Sequence, residues 1–177
     1  ALLQLRSVRV AGWRGGAGSG GAARGRLGMS EHAIEFRVYY EDTDAGGIVY
    51  HARYLAFAER ARTEAIRSMG MPVSELLREH GLVFVVRDAR LTYRTPLRLD
   101  DVLCVTTRLL RLGAASCVLG PTVTREGGVS AEMEVGLACV RAGDGYPARF
   151  PSYWRDLLHK PAGRDCYAPL LLCSGTQ

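Results

Sequence analysis

The sequence predicts an α+β domain in which an antiparallel sheet lies against one long helix. Three observations carry this. Ile34, Phe36, Val38 and Tyr40 alternate with Glu35, Arg37 and Tyr39, the period of a half-buried strand. Arg53 to Met69 contains no Gly or Pro and is rich in Ala, Leu, Glu and Arg, which predicts a helix of about 17 residues and about 25 Å. From Leu82 onward, strand-like stretches follow one another between turn signals, with no second long helix to separate them.

Taken in order, residues 1–28 hold eight of the 21 glycines, five arginines and no acid. Such a stretch cannot bury enough apolar area to offset its ordering entropy, and it is expected to be a disordered leader. Translation is expected to begin at Met29, the domain to span 29–160, and the tail 161–177 to be mobile. Within the helix, Ala58, Ala61 and Ala65 are small enough to let a sheet approach closely. A shorter helix is expected from Ser74 to His80, with Ser74 as its N-cap. Strands are expected at Leu82–Thr95, ended by Pro96, and at Val102–Leu112 after an Asp100-Asp101 turn. Ala115–Arg125 leads into a Gly127-Gly128 hairpin signal. Beyond it Val129, Ala131, Met133, Val135, Leu137 and Cys139 alternate with Ser130, Glu132, Glu134, Gly136 and Ala138, so one face is core and the other meets water or another subunit. A helical turn around Tyr153–Leu158 closes the pattern.

The chain has 177 residues, 47% of them hydrophobic and 23% charged, which fits one globular domain with a real core. It has no apolar run approaching the roughly 18 residues of a membrane span. The net charge of +5 comes from the leader, because 29–160 carries 17 basic residues against 17 acids. A neutral core gives little electrostatic reason to bind nucleic acid. Five cysteines (Cys104, Cys117, Cys139, Cys166, Cys173) form no CxxC pair and are expected to be reduced structural thiols, which fits a cytoplasmic location. Four dispersed histidines give no zinc spacing, so no metal or other cofactor is expected. The only lysine is Lys160, which leaves no P-loop, and no GxSxG elbow lies in the patterned region.

The chemistry-bearing stretch is Tyr39 to Arg53, where three acids within four residues precede two glycines and the start of the long helix. It could be a solvated acidic loop with Asp42 or Asp44 capping a turn. A calcium loop fails, because Arg53 stands where the bidentate Glu belongs and Gly46 replaces a ligand. The functional alternative sets a carboxylate ahead of a helix start whose free N–H groups can hold an oxyanion. A base or nucleophile beside such donors is the minimum needed for acyl hydrolysis.

The run from Tyr39 to His51, Tyr-Tyr-Glu-Asp-Thr-Asp-Ala-Gly-Gly-Ile-Val-Tyr-His, resembles the signature of the 4-hydroxybenzoyl-CoA thioesterase family. It is most similar to the YbgC-like branch of acyl-CoA thioesterases associated with the bacterial Tol–Pal system. Phe57–Glu64, Phe84–Arg87 and Arg98–Asp101 extend the resemblance over about 35–155. It implies a hot-dog fold, an antiparallel sheet wrapped around the long helix, and a homodimer or homotetramer with sites at subunit interfaces. It also implies acyl-CoA as substrate, with acyl carrier protein as a further candidate partner. Carried over by position, the catalytic aspartate is Asp44, and the amide that polarises the thioester carbonyl lies at about His51. The His51 side chain and Tyr40 are implicated in catalysis, and Gly47, Val49 and Tyr50 in substrate binding. Arg90, sharing a strand face with Arg94, is a candidate for the CoA phosphates. Tyr40 also continues the Ile34 face and could be core, and His51 could be a helix-start residue with no chemical part. Glu59, where another hot-dog branch keeps a catalytic Glu, is expected to pair with Arg62 or Arg60. The rival readings are a non-catalytic acyl- or carrier-protein-binding module and a hydratase or dehydratase.

Overall fold

The computed structural model describes residues 8–10, 31–70 and 72–159. Its elements are β1 (Val8–Val10), β2 (His32–Arg37), a 3₁₀ turn (Tyr40–Asp42), α1 (Arg53–Ser68), α2 (Val73–His80), β3 (Leu82–Tyr93), β4 (Val102–Leu112), β5 (Ser116–Arg125), β6 (Gly128–Arg141) and α3 (Ser152–His159). The strands form one antiparallel sheet in the order β1-β3-β6-β5-β4-β2. α1 packs on β2, β4 and β5, the hot-dog arrangement of an α+β fold.

The strands follow one another in sequence but are not all neighbours. β3 pairs with β6, while β4 lies between β5 and β2, so the segment 94–101 must cross from one side of the sheet to the other. That crossing runs past the start of α1 and buttresses the site described below.

The alternation anticipated for β6 is realised only from Ala131 to Val135, where Ala131, Met133 and Val135 are buried and Glu132 and Glu134 exposed. Nearer the hairpin Val129 is exposed and Ser130 buried, where the β5–β6 register shifts between Val123 and Thr124. Gly136 is buried against the Asp88 side chain. Ala58, Ala61 and Ala65 are all buried, the close approach their size allows. The core centres on Phe57, Leu103, Val105, Val123 and Leu137, each at most 1% exposed. The buried Cys117 and Cys139 and the half-buried Cys104 are free thiols, and burial pushes the thiol of Cys117 up to about 11. Cys166 and Cys173 lie outside the described residues.

Several expectations are corrected. The first strand ends at Arg37, and Tyr40 is not core but 82% exposed, because the chain turns into the 3₁₀ segment. Pro72, not Ser74, occupies the N-cap of α2, its fixed φ suiting the non-helical entry. The β5–β6 hairpin turns on Glu126 and Gly127, with φ of 49° and 78°, the two left-handed positions of a type I′ turn. Val8–Val10 pair antiparallel with β3 at Ala89–Leu91, where an unpaired strand edge offers its N–H and C=O groups. The rest of the 1–28 leader and the 161–177 tail lie outside the described residues.

Candidate active site

The stretch from Tyr39 to Arg53 folds as a small closed turn. Asp42 is its anchor, only 2% exposed. One carboxylate oxygen accepts the Tyr39 N–H at 2.9 Å, and the other accepts Arg53 Nε at 2.7 Å. Arg53 Nη2 also reaches Glu41 at 3.2 Å, so the first residue of α1 is tied to the loop that precedes it. The Asp42 carbonyl accepts the Tyr50 N–H at 2.8 Å, which closes the loop a second time.

Inside that clamp, Thr43 and Val49 form an antiparallel bridge, and Asp44 N–H donates to Ile48 O at 3.0 Å. Gly47 N–H donates back to Asp44 O at 3.0 Å, and Gly47 has a φ of 71°, the left-handed region that favours glycine. Asp44 Oδ1 accepts the Gly46 N–H at 2.8 Å. A Cβ on Gly46 would come to 3.0 Å from that same oxygen, so a larger residue there would push the Asp44 carboxylate from this position. Asp44 is thus exposed, held by one oxygen, with the other directed to no protein donor among the described residues.

The crossing segment holds the far side of the turn. Val49 N–H donates to Leu97 O at 2.8 Å, and Leu97 N–H donates to Tyr54 Oη at 3.3 Å. Tyr93, the last residue of β3, donates its hydroxyl to His51 O at 2.8 Å. At the head of α1 the Arg53 N–H donates to Tyr50 O at 2.9 Å. The N–H groups of His51 and Ala52 make no hydrogen bond among the described residues.

Asp44, Gly47, Tyr50 and His51 are all exposed in the turn that leads into α1. The Tyr50 and His51 rings lie 4.3 Å apart. Tyr40 lies on the 3₁₀ turn, exposed and making no side-chain hydrogen bond among the described residues. Val49 differs from expectation: it is 3% exposed and its N–H is taken by Leu97, so within one chain it anchors the turn and offers no contact surface. Arg90 is not brought to the turn. It sits on the outer sheet face, in a shallow groove of about 190 Å³ shared with Arg108, Thr122 and Glu134. Arg94 lies beyond the strand end, bonded to Glu132 at 3.0 Å. Glu59 pairs with Arg62 at 3.2 Å, as the helical spacing anticipated.

Tyr93, Arg53 and the anchoring part of Asp42 escaped the sequence reading. Tyr93 is 42 residues from His51, and no local pattern links a strand end to a helix start. An apolar cavity of about 460 Å³ opens one turn along α1 from His51. Leu55, Ala58 and Leu119 line it together with Val86 and Ala89, which flank a bulge in β3. Among the described residues no group of three or more His, Cys, Asp and Glu converges as a metal site would require, and no helix is long and apolar enough to cross a membrane.

Comparison with known proteins decides the family. The Thioesterase-like superfamily profile matches residues 38–159, most of the chain and the whole of the turn. The chain belongs to the thioesterase-like superfamily. It is 42% identical over 133 residues to the acyl-CoA thioesterase YbgC of Haemophilus influenzae, covering 74% of this chain and 98% of that protein. The acyl-CoA thioester hydrolase YbgC of Escherichia coli O6:H1 is 45% identical over 105 residues, 59% of this chain and 78% of that protein. The crystal structure of a probable thioesterase from Bartonella henselae superposes with a TM-score of 0.65 at 34% identity, covering 68% of this chain and 99% of that one. The thioesterase described here is YbgC-like, and it is a hydrolase.

Proposed function

We propose that this thioesterase hydrolyses an acyl-CoA thioester to the free acid and CoA, with Asp44 as the general base or nucleophile. The observation that carries the reading is the placement of an exposed carboxylate, tethered through one oxygen, in the turn that ends at unpaired N–H groups of His51 and Ala52. Those donors would hold the thioester oxygen as it gains negative charge. In the base route Asp44 takes a proton from water, and the hydroxyl attacks the carbonyl carbon. The C–S bond then breaks, and the departing thiolate recovers the proton. In the nucleophile route Asp44 forms an anhydride as the thiolate leaves, and water then cleaves it.

His51 and Tyr40 are exposed beside the turn, within reach of a substrate that lies across it, and serve as donors to the leaving sulfur or the carbonyl. Gly47 and Tyr50 form the surface that meets the thioester. The cavity along α1 suits an acyl chain, since Leu55, Ala58, Ala89, Leu119 and Val135 form its wall. Tyr39, Tyr40 and Tyr50 leave aromatic surface exposed around the site, which suits cover by a second copy of the chain in a homodimer or homotetramer. Arg90 would contribute to binding CoA phosphates only from such a neighbouring copy. An acyl carrier protein presents the same thioester and is a candidate alternative donor.

The test is thiol release across a panel of aliphatic and aromatic acyl-CoAs. Asp44→Asn keeps size and hydrogen bonding but removes the charge, and kcat is expected to fall at least about 100-fold with KM little changed. Turnover that survives this change would remove Asp44 from the mechanism. Acyl-CoA binding without thiol release from the unaltered protein would instead favour the non-catalytic acyl-binding alternative linked to envelope assembly.

A further inference from the structure

The His51 carbonyl is held by a hydroxyl from the opposite side of the fold, Tyr93 Oη at 2.8 Å. In a trans peptide the C=O and the following N–H point in opposite directions. Fixing His51 O toward Tyr93 therefore aims the Ala52 N–H away from Tyr93, and Ala52 is the exposed N-cap of α1. A proton donor on a carbonyl also polarises its amide and strengthens the N–H as a donor. The Tyr93 ring is itself fixed, packed edge-on against Tyr54 at 5.3 Å and 78°. Burial raises the Tyr93 pKa, which favours the protonated hydroxyl that donates.

We propose that Tyr93 is a positioning residue for the reaction: by holding His51 O it orients and polarises the His51–Ala52 peptide, so that the Ala52 N–H donates to the thioester oxygen as that oxygen gains charge. This rests on the acyl-CoA hydrolysis proposed above and adds a residue to it from outside the turn. Tyr93 touches no substrate. It acts through the peptide it holds.

Two variants separate this role from a structural one. Tyr93→Phe keeps the ring and removes only the hydroxyl. Ala52→Pro removes the N–H, and the Ala52 φ of −75° lies within proline's range. Loss of one oxyanion donor costs about 10²–10³ in kcat. Ala52→Pro is expected to lower kcat about 100-fold and Tyr93→Phe about 10-fold, each with KM within about twofold. The double variant is expected to be no worse than Ala52→Pro alone, because the hydroxyl has nothing left to act through. In Tyr93→Phe the Ala52 amide ¹⁵N resonance should also shift, a readout that needs no turnover and no folded proline variant. A Tyr93→Phe enzyme with kcat within twofold of the parent, or an Ala52 resonance that does not move, overturns the proposal. So does a double variant in which the two losses multiply in full. Failure of the underlying reading looks different: an Asp44→Asn enzyme that keeps its turnover while Tyr93→Phe loses it removes Asp44 and supports Tyr93.

Discussion

The turn from Tyr39 to Ala52 and the interface between α1 and the sheet meet at Arg53, yet they are held by opposite means. At the interface Phe57, Ala61, Leu103 and Leu137 are at most 1% exposed and pack through apolar surface alone. In the turn, the side chains that carry chemistry are exposed, and the order comes from hydrogen bonds to the backbone and from the Asp42–Arg53 pair. The main chain of Asp44, Tyr50 and His51 is held by bonds from the turn and from Tyr93, and their side chains stay exposed to meet a substrate. Substitutions in the two regions should therefore separate cleanly, the core changing stability and the turn changing turnover.

The largest effect expected is in the core. Phe57 is 1% exposed and stacks against Phe36 with ring centroids 5.6 Å apart. Phe57→Ala should cost about 3–5 kcal/mol in urea unfolding through lost burial and the cavity left behind. The kcat of the fraction that remains folded should stay within about twofold. A large fall in kcat with stability intact would erase the division between the regions. Asp44→Asn is the mirror image: turnover falls at least about 100-fold while the unfolding midpoint hardly moves, since the exposed side chain buries nothing.

Asp42 sits between these extremes and sharpens the comparison. In kcat, Asp42→Asn is expected to be far milder than Asp44→Asn. The structure adds a second consequence, because the Asp42 carboxylate is buried and receives both Tyr39 N–H and Arg53. Asp42→Ala leaves the Tyr39 N–H without its acceptor and should cost about 1–3 kcal/mol. Arg53, 27% exposed, can turn to water and limits the loss. Urea unfolding of Asp42→Ala and Asp44→Asn side by side checks the order. Equal stabilities would mean that the clamp contributes nothing.

Period and turn signals made most of the fold legible. The 3.6-residue pattern of α1 and the two-residue pattern of β6 report burial on one face, which is a local property of sequence. Strand order was not legible, because nothing in β3 or β4 states that the segment between them crosses the sheet. The site was legible as a motif and illegible as a mechanism of support. Asp44 and His51 lie seven residues apart and share a recognisable stretch, whereas Tyr93 reaches the turn from the end of β3 and Leu97 from the crossing, contacts that only the tertiary fold makes. Tyr40 was open to two readings because Tyr39 and Tyr40 continue the alternation of β2 after the strand has ended. The resemblance implies a substrate contact for Val49, whose side chain within one chain is buried under the turn.

The smallest effect expected lies where the two regions are joined, at Asp101. Asp101 ends the crossing segment that presents Leu97 to the turn, and its backbone carbonyl accepts the Val38 N–H at 3.0 Å. Burial alone would raise the Asp101 pKa. The Arg98 N–H at 2.7 Å and the Arg125 guanidinium at 2.8 Å outweigh that and hold it below the usual carboxylate value of 3.8. A carboxyl whose pKa is lower folded than unfolded binds protons more readily in the unfolded chain. Its stabilisation is therefore complete above the unfolded pKa and is lost as pH falls through the folded value. Asp101→Asn keeps an acceptor for the Arg98 N–H and has no charge to titrate. The stability gap between the parent and Asp101→Asn should be widest near pH 6 and shrink as pH falls from about 4 toward 2, measured by urea unfolding at each pH. A gap that stays constant, or grows, on the acid side would show that the charge of Asp101 does not hold the crossing in place. The polar bonds of the turn would then depend on the apolar packing of Leu97, and the two regions would be one.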